Sequence, residues 1–306
     1  RVPADRDAWI LYHFSIGSAL LDLVRALDTP LALDYHNITE AKYFWRWEPR
    51  AAARMLEGRR QLADIAPRVR FALADSRFNE QELLDLGCEH TAVAPILIDF
   101  TDYDAAPDAK ILADRRRARH AGGTDWLAVG RIAPNKCQHD IVLAFAAFRR
   151  LHDPLARLTL VGGQSAGEYW RALHRLAGHL GIADAVTFTD VVSHAELLAC
   201  YRTADVLLCL SEHEGFNVPV LEAMYFDVPV VAYAAGAVPD TVGDGGLLLA
   251  DKDPLVVASA VERLRSDPSL RTQLVDAGRR RVEHFSIART GPQLIESLTT
   301  LMKESQ

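Results

Sequence analysis

The chain has 306 residues, 49% of them apolar and 25% charged, and a net charge of −7. At roughly 100–150 residues per domain that length predicts two domains with ample cores, and the acidic balance argues against nucleic acid as a partner. Cys88, Cys137, Cys200 and Cys209 lack C-x-x-C spacing, no apolar run reaches membrane-span length, and no signal-peptide pattern opens the chain, so reduced thiols and a cytoplasmic protein are expected.

In chain order, residues 7–15 read as a buried strand, followed by a short helix over Ser18–Leu27. A strand at Pro30–Asn37, a helix at Glu48–Ala66, a strand at Val69–Ala74, a helix at Asn79–Leu86 and a strand at Thr91–Ile98 continue the alternation. Between Thr101 and Thr124 the hydrophobic pattern stops, which predicts a first domain over 1–105 and a linker over 106–124. A second series follows: strand Trp126–Val129, helix Gln138–Leu151, strand Leu158–Val161, helix Glu168–Leu180 and strand Val186–Phe188. Ser193 and Glu196 form a capping box for the next helix, and strands Val206–Leu210, Val228–Tyr233 and Gly246–Leu249 come after it. Helices near Pro254–Leu264, Ser269–His284 and Gly291–Lys303 close the chain. Alternation of this kind means parallel sheets: an α/β chain of two tandem Rossmann-like, doubly wound domains facing a cleft, the second spanning 125–285, with a C-terminal helix in 286–306 crossing back to the first.

The densest chemistry lies in Ser211–Glu222, S-E-H-E-G-F-N-V-P-V-L-E. A helix begins near Pro219, with Asn217 or Val218 at its cap, so Glu214 falls in the loop and Glu222 one turn into the helix. The two acids flank a helix start whose free N–H groups and positive dipole end attract phosphate. Gly130-Arg131-Ile132-Ala133-Pro134-Asn135-Lys136 follows the first strand of the same domain, and a cation at each end of that loop suits a diphosphate clamp. His36 ends a strand of the first domain. His13 lies in Y-H-F-S-I-G-S, where Ser15, Gly17 and Ser18 offer donors at a helix start.

A competing motif is Gly163-Gln164-Ser165-Ala166-Gly167, a G-x-S-x-G between strand and helix, as a serine hydrolase of α/β type using Ser165 requires. That reading lacks an upstream oxyanion loop, puts His284 in a helical run, and leaves both charged pairs unused. The D-x-D pairs Asp5/Asp7, Asp102/Asp104 and Asp251/Asp253 are what the Asp content gives by chance, and no metal, P-loop or dinucleotide motif appears. Between Arg46 and Arg70 seven arginines face three acids, +4 in an acidic chain, beside Tyr43-Phe44-Trp45-Arg46-Trp47. Arg46, Arg50 and Arg54 share a helix face, which fits either a solvated helix over core aromatics or a peripheral membrane contact through 43–60.

Together these stretches resemble the retaining glycosyltransferases of family 4, which have the GT-B fold. The resemblance runs through V-G-R-I-A-P-N-K, L-T-L-V-G-G, S-E-H-E-G-F-N-V-P-V-L-E-A-M and A-G-A-V-P-D-T-V-G-D-G-G-L-L-L, and more weakly over Tyr12–Ser18 and Tyr35–Thr39. It implies a metal-independent hexosyltransferase whose donor is a nucleotide-sugar, UDP- or GDP-linked. The acceptor is a polysaccharide or another saccharide, or a glycolipid or other lipid-linked acceptor. It places the enzyme in the bacterial cytoplasm, peripheral at the inner membrane face.

It further implies that Glu214 holds the donor sugar, that Gly215, Phe216, Asn217 and Val218 present backbone groups, and that Glu222 takes the ribose hydroxyls. Arg131 and Lys136, next to Gly130, hold the diphosphate; His36 sits near the reacting sugar; the base lies at Thr189–Val192, with Val192 at its edge. His13, Ser15, Gly17, Arg46 and Arg50 are acceptor-side candidates. An inactive sugar-nucleotide-binding module is the remaining alternative, because the family's first domain opens with βα units absent ahead of Tyr12 and is expected to be incomplete here. The family also prefers Gly where Asn217 stands.

Overall fold

The computed structural model describes residues 8–164 and 166–304. Asp5, Asp7 and Ser165 lie outside the described residues. The chain divides into two compact units. The first holds the chain up to Ile98, Glu214–Phe216 and the chain from Phe285; the second holds Asp99–His213 and Asn217–His284.

In the first unit the elements are β1 (Ile10–Phe14), α1 (Leu20–Arg25), β2 (Leu31–Tyr35), α2 (Pro49–Ile65), β3 (Val69–Ala74), α3 (Arg77–Asp85) and β4 (Thr91–Val93). The four strands are parallel and in sequence order, with His13 in register with Asp34. Phe14, Leu33, Tyr35, Ile38 and Leu62 form the core on one face. Strand β4 is shorter than the expected Thr91–Ile98, because Pro95 follows Ala94 and has no N–H for the ladder. The Ser15–Ser18 loop is tied down by Ser18 N–H donating to Gln61 Oε1 at 2.9 Å. There Gly17 meets Gly58 of α2 so closely that a Cβ on Gly17 would stand 2.9 Å from the Gly58 nitrogen.

The second unit comprises α4 (Ala109–His120), β5 (Asp125–Val129), α5 (Gln138–Leu151), β6 (Arg157–Val161), α6 (Gly167–His179), β7 (Val186–Phe188), α7 (His194–Tyr201), β8 (Val206–Cys209), α8 (Val218–Tyr225), β9 (Val230–Tyr233), α9 (Val238–Val242), β10 (Gly246–Leu249), α10 (Pro254–Ser266) and α11 (Pro268–Phe285). Its six parallel strands run β10-β9-β8-β5-β6-β7, so the direction of winding reverses between β5 and β8. In an open sheet of this order ligands bind at the carboxyl ends of the strands flanking that reversal. The helix α12 (Ile287–Glu304) belongs to the first unit, where Leu294, Leu298 and Leu301 pack on Ala32, Phe71 and Leu73 of its sheet.

The stretch expected to be a plain linker over 106–124 instead contains α4. Asp108 caps it by accepting from Ile111 N–H at 2.8 Å, and cations fill its last turn. Its half-buried side chains are Ile111, Leu112, Arg115 and Ala118; Arg115 donates to Thr203 Oγ1 at 2.6 Å and Thr159 Oγ1 at 3.0 Å, and the exposed Arg119 pairs with Asp205 at 2.6 Å. With an arginine in the middle of its half-buried stripe and no fully buried residue of its own, the helix has only a weak hydrophobic period to detect.

Candidate active site

In the second unit, the loops after β5 and β8 meet at the reversal point. Asn135, 4% exposed, donates through its side chain to His213 O at 3.2 Å, and Glu212 N–H donates to Asn135 O at 2.9 Å. These bonds lock the Arg131–Lys136 loop to the Ser211–His213 segment. Lys252 adds a third tie, its ammonium 2.7 Å from Asp140 on α5 and 2.6 Å from Glu212. Burial works against that ammonium, yet the two carboxylates outweigh it and raise its pKa.

Gly130 follows β5 with a φ of 140°, and a Cβ there would lie 4.0 Å from Lys136 Nζ. The glycine therefore leaves backbone open beside the lysine. Arg131 is exposed, and its carbonyl accepts from Gln138 at 3.0 Å. Two cations thus border a loop at a strand's carboxyl end, in the sheet whose strand β8 leads to a helix start.

That helix start is α8. Asn217 is its cap residue, with φ 87° and ψ 66° in the left-handed region. Its side chain does not cap the helix. It turns back to donate to Cys209 Sγ at 2.8 Å. Glycine adopts this conformation without cost, and Asn is among the few other residues that visit it. A backbone requirement for positive φ is one that Gly would also meet at this position. Pro219 sits in the first turn, where its missing N–H costs nothing.

Glu222 lies on α8 and is 8% exposed. Both of its oxygens are engaged: Tyr201 OH donates to Oε2 at 2.5 Å and Tyr103 OH to Oε1 at 2.7 Å. Burial, then the negative charge of Glu222, raises the pKa of both phenols and keeps them as donors. Glu214, 6% exposed, groups with the first unit together with Gly215 and Phe216. Phe216 meets Phe285 edge to face at 5.2 Å, and a Cβ on Gly215 would stand 2.7 Å from Asn37 Cβ. Val192 is half-buried in the turn that caps α7.

The first unit has its own polar cluster at its strands' carboxyl ends. His36 Nδ1 lies 3.0 Å from Asp75 Oδ1, and its Nε2 lies 3.2 Å from Asp34 Oδ2. His13 Nδ1 is 2.8 Å from the same Asp34 oxygen and 3.1 Å from His36 Nε2. Hydrogen bonds to Asp34 and then Asp75 raise the His36 pKa to about 10, against the pull of burial. Asp75 is itself pushed up by burial, against the opposing pull of His36. With carboxylates on both of its nitrogens, His36 is held as the cation.

The atoms of His13, Asp34 and His36 are close enough to share a divalent ion. The two imidazole planes are parallel within 1°, with centres 5.4 Å apart and His13 Nδ1 3.1 Å from His36 Nε2. Cys137, His139 and Asp140 also cluster, but Lys252 already holds Asp140, and burial pushes the Cys137 thiol up to about 12, away from the thiolate a metal needs.

Ser15 is exposed; Arg46 and Arg50 are exposed around the start of α2. Arg59 and Arg60 are taken up by Glu82 and by Glu57 with Asp64. For the hydrolase reading, His284 lies within α11, and Asp205, an acid between Ser165 and His284 in the chain, is committed to Arg119 and to Asp125 N–H.

Sequence reasoning assigned no role to Tyr103, Tyr201, Asn135 or Lys252. Asn135 carried a signal, as an amide inside the charged loop. Nothing in spacing marks two tyrosines, respectively 119 and 21 residues before Glu222, as its partners.

A six-stranded sheet in this order, with paired cations and a helix start at its reversal point, defines a doubly wound domain of the nucleotide-binding class. Together with a second parallel α/β unit it makes the GT-B architecture. The chain belongs to the glycosyl transferases group 1 family, whose model matches residues 113–281. It is 32% identical to a D-inositol 3-phosphate glycosyltransferase of Frankia alni over 306 residues, 96% of this chain and 74% of that protein. It is 37% identical to the enzyme of the same name from Salinispora arenicola over 195 residues, 61% of this chain and 44% of the relative's length. Among solved structures, Anabaena HepE in complex with UDP and glucose superposes with a TM-score of 0.75 at 22% identity, covering 89% of this chain and 72% of that one. Sucrose-phosphate synthase from Thermosynechococcus elongatus gives 0.76 at 23% identity, covering 97% and 74%. No helix among the described residues is long and apolar enough to cross a membrane.

Proposed function

We propose that the protein is a retaining glycosyltransferase that moves a hexosyl group from a nucleotide-diphosphate sugar to an acceptor hydroxyl. The observation that carries this reading is the locked pair of loops at the β5/β8 reversal, in a chain of the group 1 family. In it, Arg131 and Lys136 hold the diphosphate and stabilise charge on the departing nucleotide, with the positive end of α8 beside them. No metal is needed for that neutralisation. Glu214 hydrogen-bonds the donor sugar, the backbone of Gly215–Val218 receives sugar and phosphate, and Glu222 binds the ribose. His36, held as a cation by Asp34 and Asp75, supplies positive charge near the reacting sugar.

UDP-glucose is the donor to test first, since HepE has also been solved with it. For acceptors, the relatives' names bring in a phosphorylated polyol beside a saccharide or lipid-linked glycan. The exposed Trp45, Arg46 and Arg50 suit a peripheral contact with anionic lipid. The test is transfer of labelled glucose from UDP-glucose, and of mannose from GDP-mannose, to inositol 3-phosphate and to lipid-linked glycan. Product of unchanged anomeric configuration is expected with one pair, and Glu214→Ala abolishes it while Ser165→Ala leaves it intact. Loss of activity in Ser165→Ala with Glu214→Ala unaffected would contradict the proposal. Nucleotide binding without turnover on any acceptor would favour the inactive module.

A further inference from the structure

Glu222 raises a question that its role as a ribose ligand leaves open: both of its oxygens accept from tyrosines. A carboxylate this buried needs such partners. The two phenols are placed very differently.

Tyr201 closes α7, is fully buried, stacks on Phe226 at 5.5 Å with planes within 9°, and its hydroxyl also lies 3.4 Å from Pro219 O. It is part of the core. Tyr103 comes from a single 3-10 turn, Phe100–Asp104, whose Thr101, Asp102 and Asp104 are exposed. That turn is held from outside. His194 Nε2 meets Asp102 O at 3.0 Å, Tyr225 OH donates to Asp104 at 2.5 Å, and the Tyr103 ring leans on His194 and Tyr225 at 5.5 and 5.8 Å. Moving Tyr103 displaces a half-buried ring that also meets Phe100 at 6.0 Å and Phe226 edge-on at 6.2 Å, whereas moving Tyr201 would displace a fully buried one.

A phenol and a sugar hydroxyl offer a carboxylate the same thing, one O–H donor. Exchanging one for the other keeps the count of hydrogen bonds on Glu222 constant. We propose that Tyr103 is a displaceable latch, occupying the Glu222 oxygen that a donor ribose hydroxyl takes, while Tyr201 is the fixed positioning residue that aims the carboxylate. The latch rests on the reading of Glu222 as the ribose ligand. It keeps Glu222 satisfied when the site is empty and yields when the donor arrives. Removing the Tyr103 hydroxyl then removes a competitor, and removing the Tyr201 hydroxyl removes a support, so the two variants change affinity in opposite directions.

Calorimetric titration of the full chain with UDP and GDP, and with the 2′,3′-dideoxy form of whichever binds, tests this on wild type, Tyr103→Phe, Tyr201→Phe and Glu222→Gln. One hydrogen bond's net contribution corresponds to about a threefold to tenfold change in affinity. Tyr103→Phe is expected to bind the nucleotide tighter by that factor and Tyr201→Phe weaker by it, with neither effect seen for the dideoxy form. A Tyr103→Phe variant that binds no tighter, or that shifts both nucleotides alike, overturns the latch. Should Tyr201→Phe fail to fold, the Tyr103→Phe arm decides alone. Glu222→Gln distinguishes the two levels: if it leaves the preference for ribose over dideoxyribose unchanged, the ribose reading itself falls.

Discussion

Asn217 shows how one residue can be legible in identity and illegible in cause. The asparagine before Val218-Pro219 is plain in the sequence; its left-handed φ of 87°, which a glycine would adopt without cost, and the bond to Cys209 that occupies its side chain, are not. Asn217→Gly keeps the backbone conformation and is expected to change stability by less than about 1 kcal/mol. Asn217→Ala places a Cβ-bearing residue with no local hydrogen bond in that region, at a cost of about 1–2 kcal/mol, or about 2–8 °C in the melting temperature of a unit this size. Equal melting temperatures for the two variants would refute the conformational explanation.

His36 was likewise readable as a strand-end residue, while its charge was not, because Asp75 reaches it from the end of the neighbouring strand, 39 residues away. Its pKa is raised to about 10 when folded, from an ordinary value of about 6.5. A base shifted upward stabilises the fold in its protonated form. That contribution is complete below pH ~6.5 and is lost as the pH climbs through 10. A ring-proton NMR titration should place the His36 midpoint near 10, and a midpoint near 6.5 would show that the carboxylates do not hold it.

Among the elements, those with a hydrophobic period were legible and those fixed by polar contacts were not. Helix α10 was expected at Pro254–Leu264 and runs Pro254–Ser266; α2 was expected at Glu48–Ala66 and runs Pro49–Ile65. Helix α4 escaped because its apolar stripe is short, interrupted by Arg115 and nowhere fully buried, while arginines make its polar ties to the rest of the unit. The site depends on how closely two strand ends approach. Gly162, after β6, has a φ of 147°, and a Cβ there would meet Gly130 O at 2.1 Å, beside the cation loop. Gly162→Ala is therefore expected to cost about 3 kcal/mol from strain and overpacking and to weaken nucleotide binding through the displaced loop. Gly178, inside α6 with nothing within 4 Å of where a Cβ would stand, is the control: Gly178→Ala should stabilise by about 0.5–1 kcal/mol. Thermal denaturation of the pair checks both signs, and a neutral Gly162→Ala would mean the strand ends are not tightly joined.

At the scale of the whole molecule, the sequence carried the class. Motifs at successive strand ends of the second unit led to the group 1 family, and the family model covers that unit. The order of the sheet, with its reversal between β5 and β8, came only from the structure, since alternation of strands and helices is the same for any winding. The role of the cation loop as a diphosphate clamp can be measured by calorimetric titration of UDP and GDP into the wild type and into the double variant Arg131→Ala/Lys136→Ala. One nucleotide should bind the wild type, and the double variant should lose about a hundredfold or more in affinity while keeping its fold, as expected for two charge-assisted contacts. Absence of binding to the wild type, or equal affinity in the double variant, would refute the clamp and the transferase reading built on it.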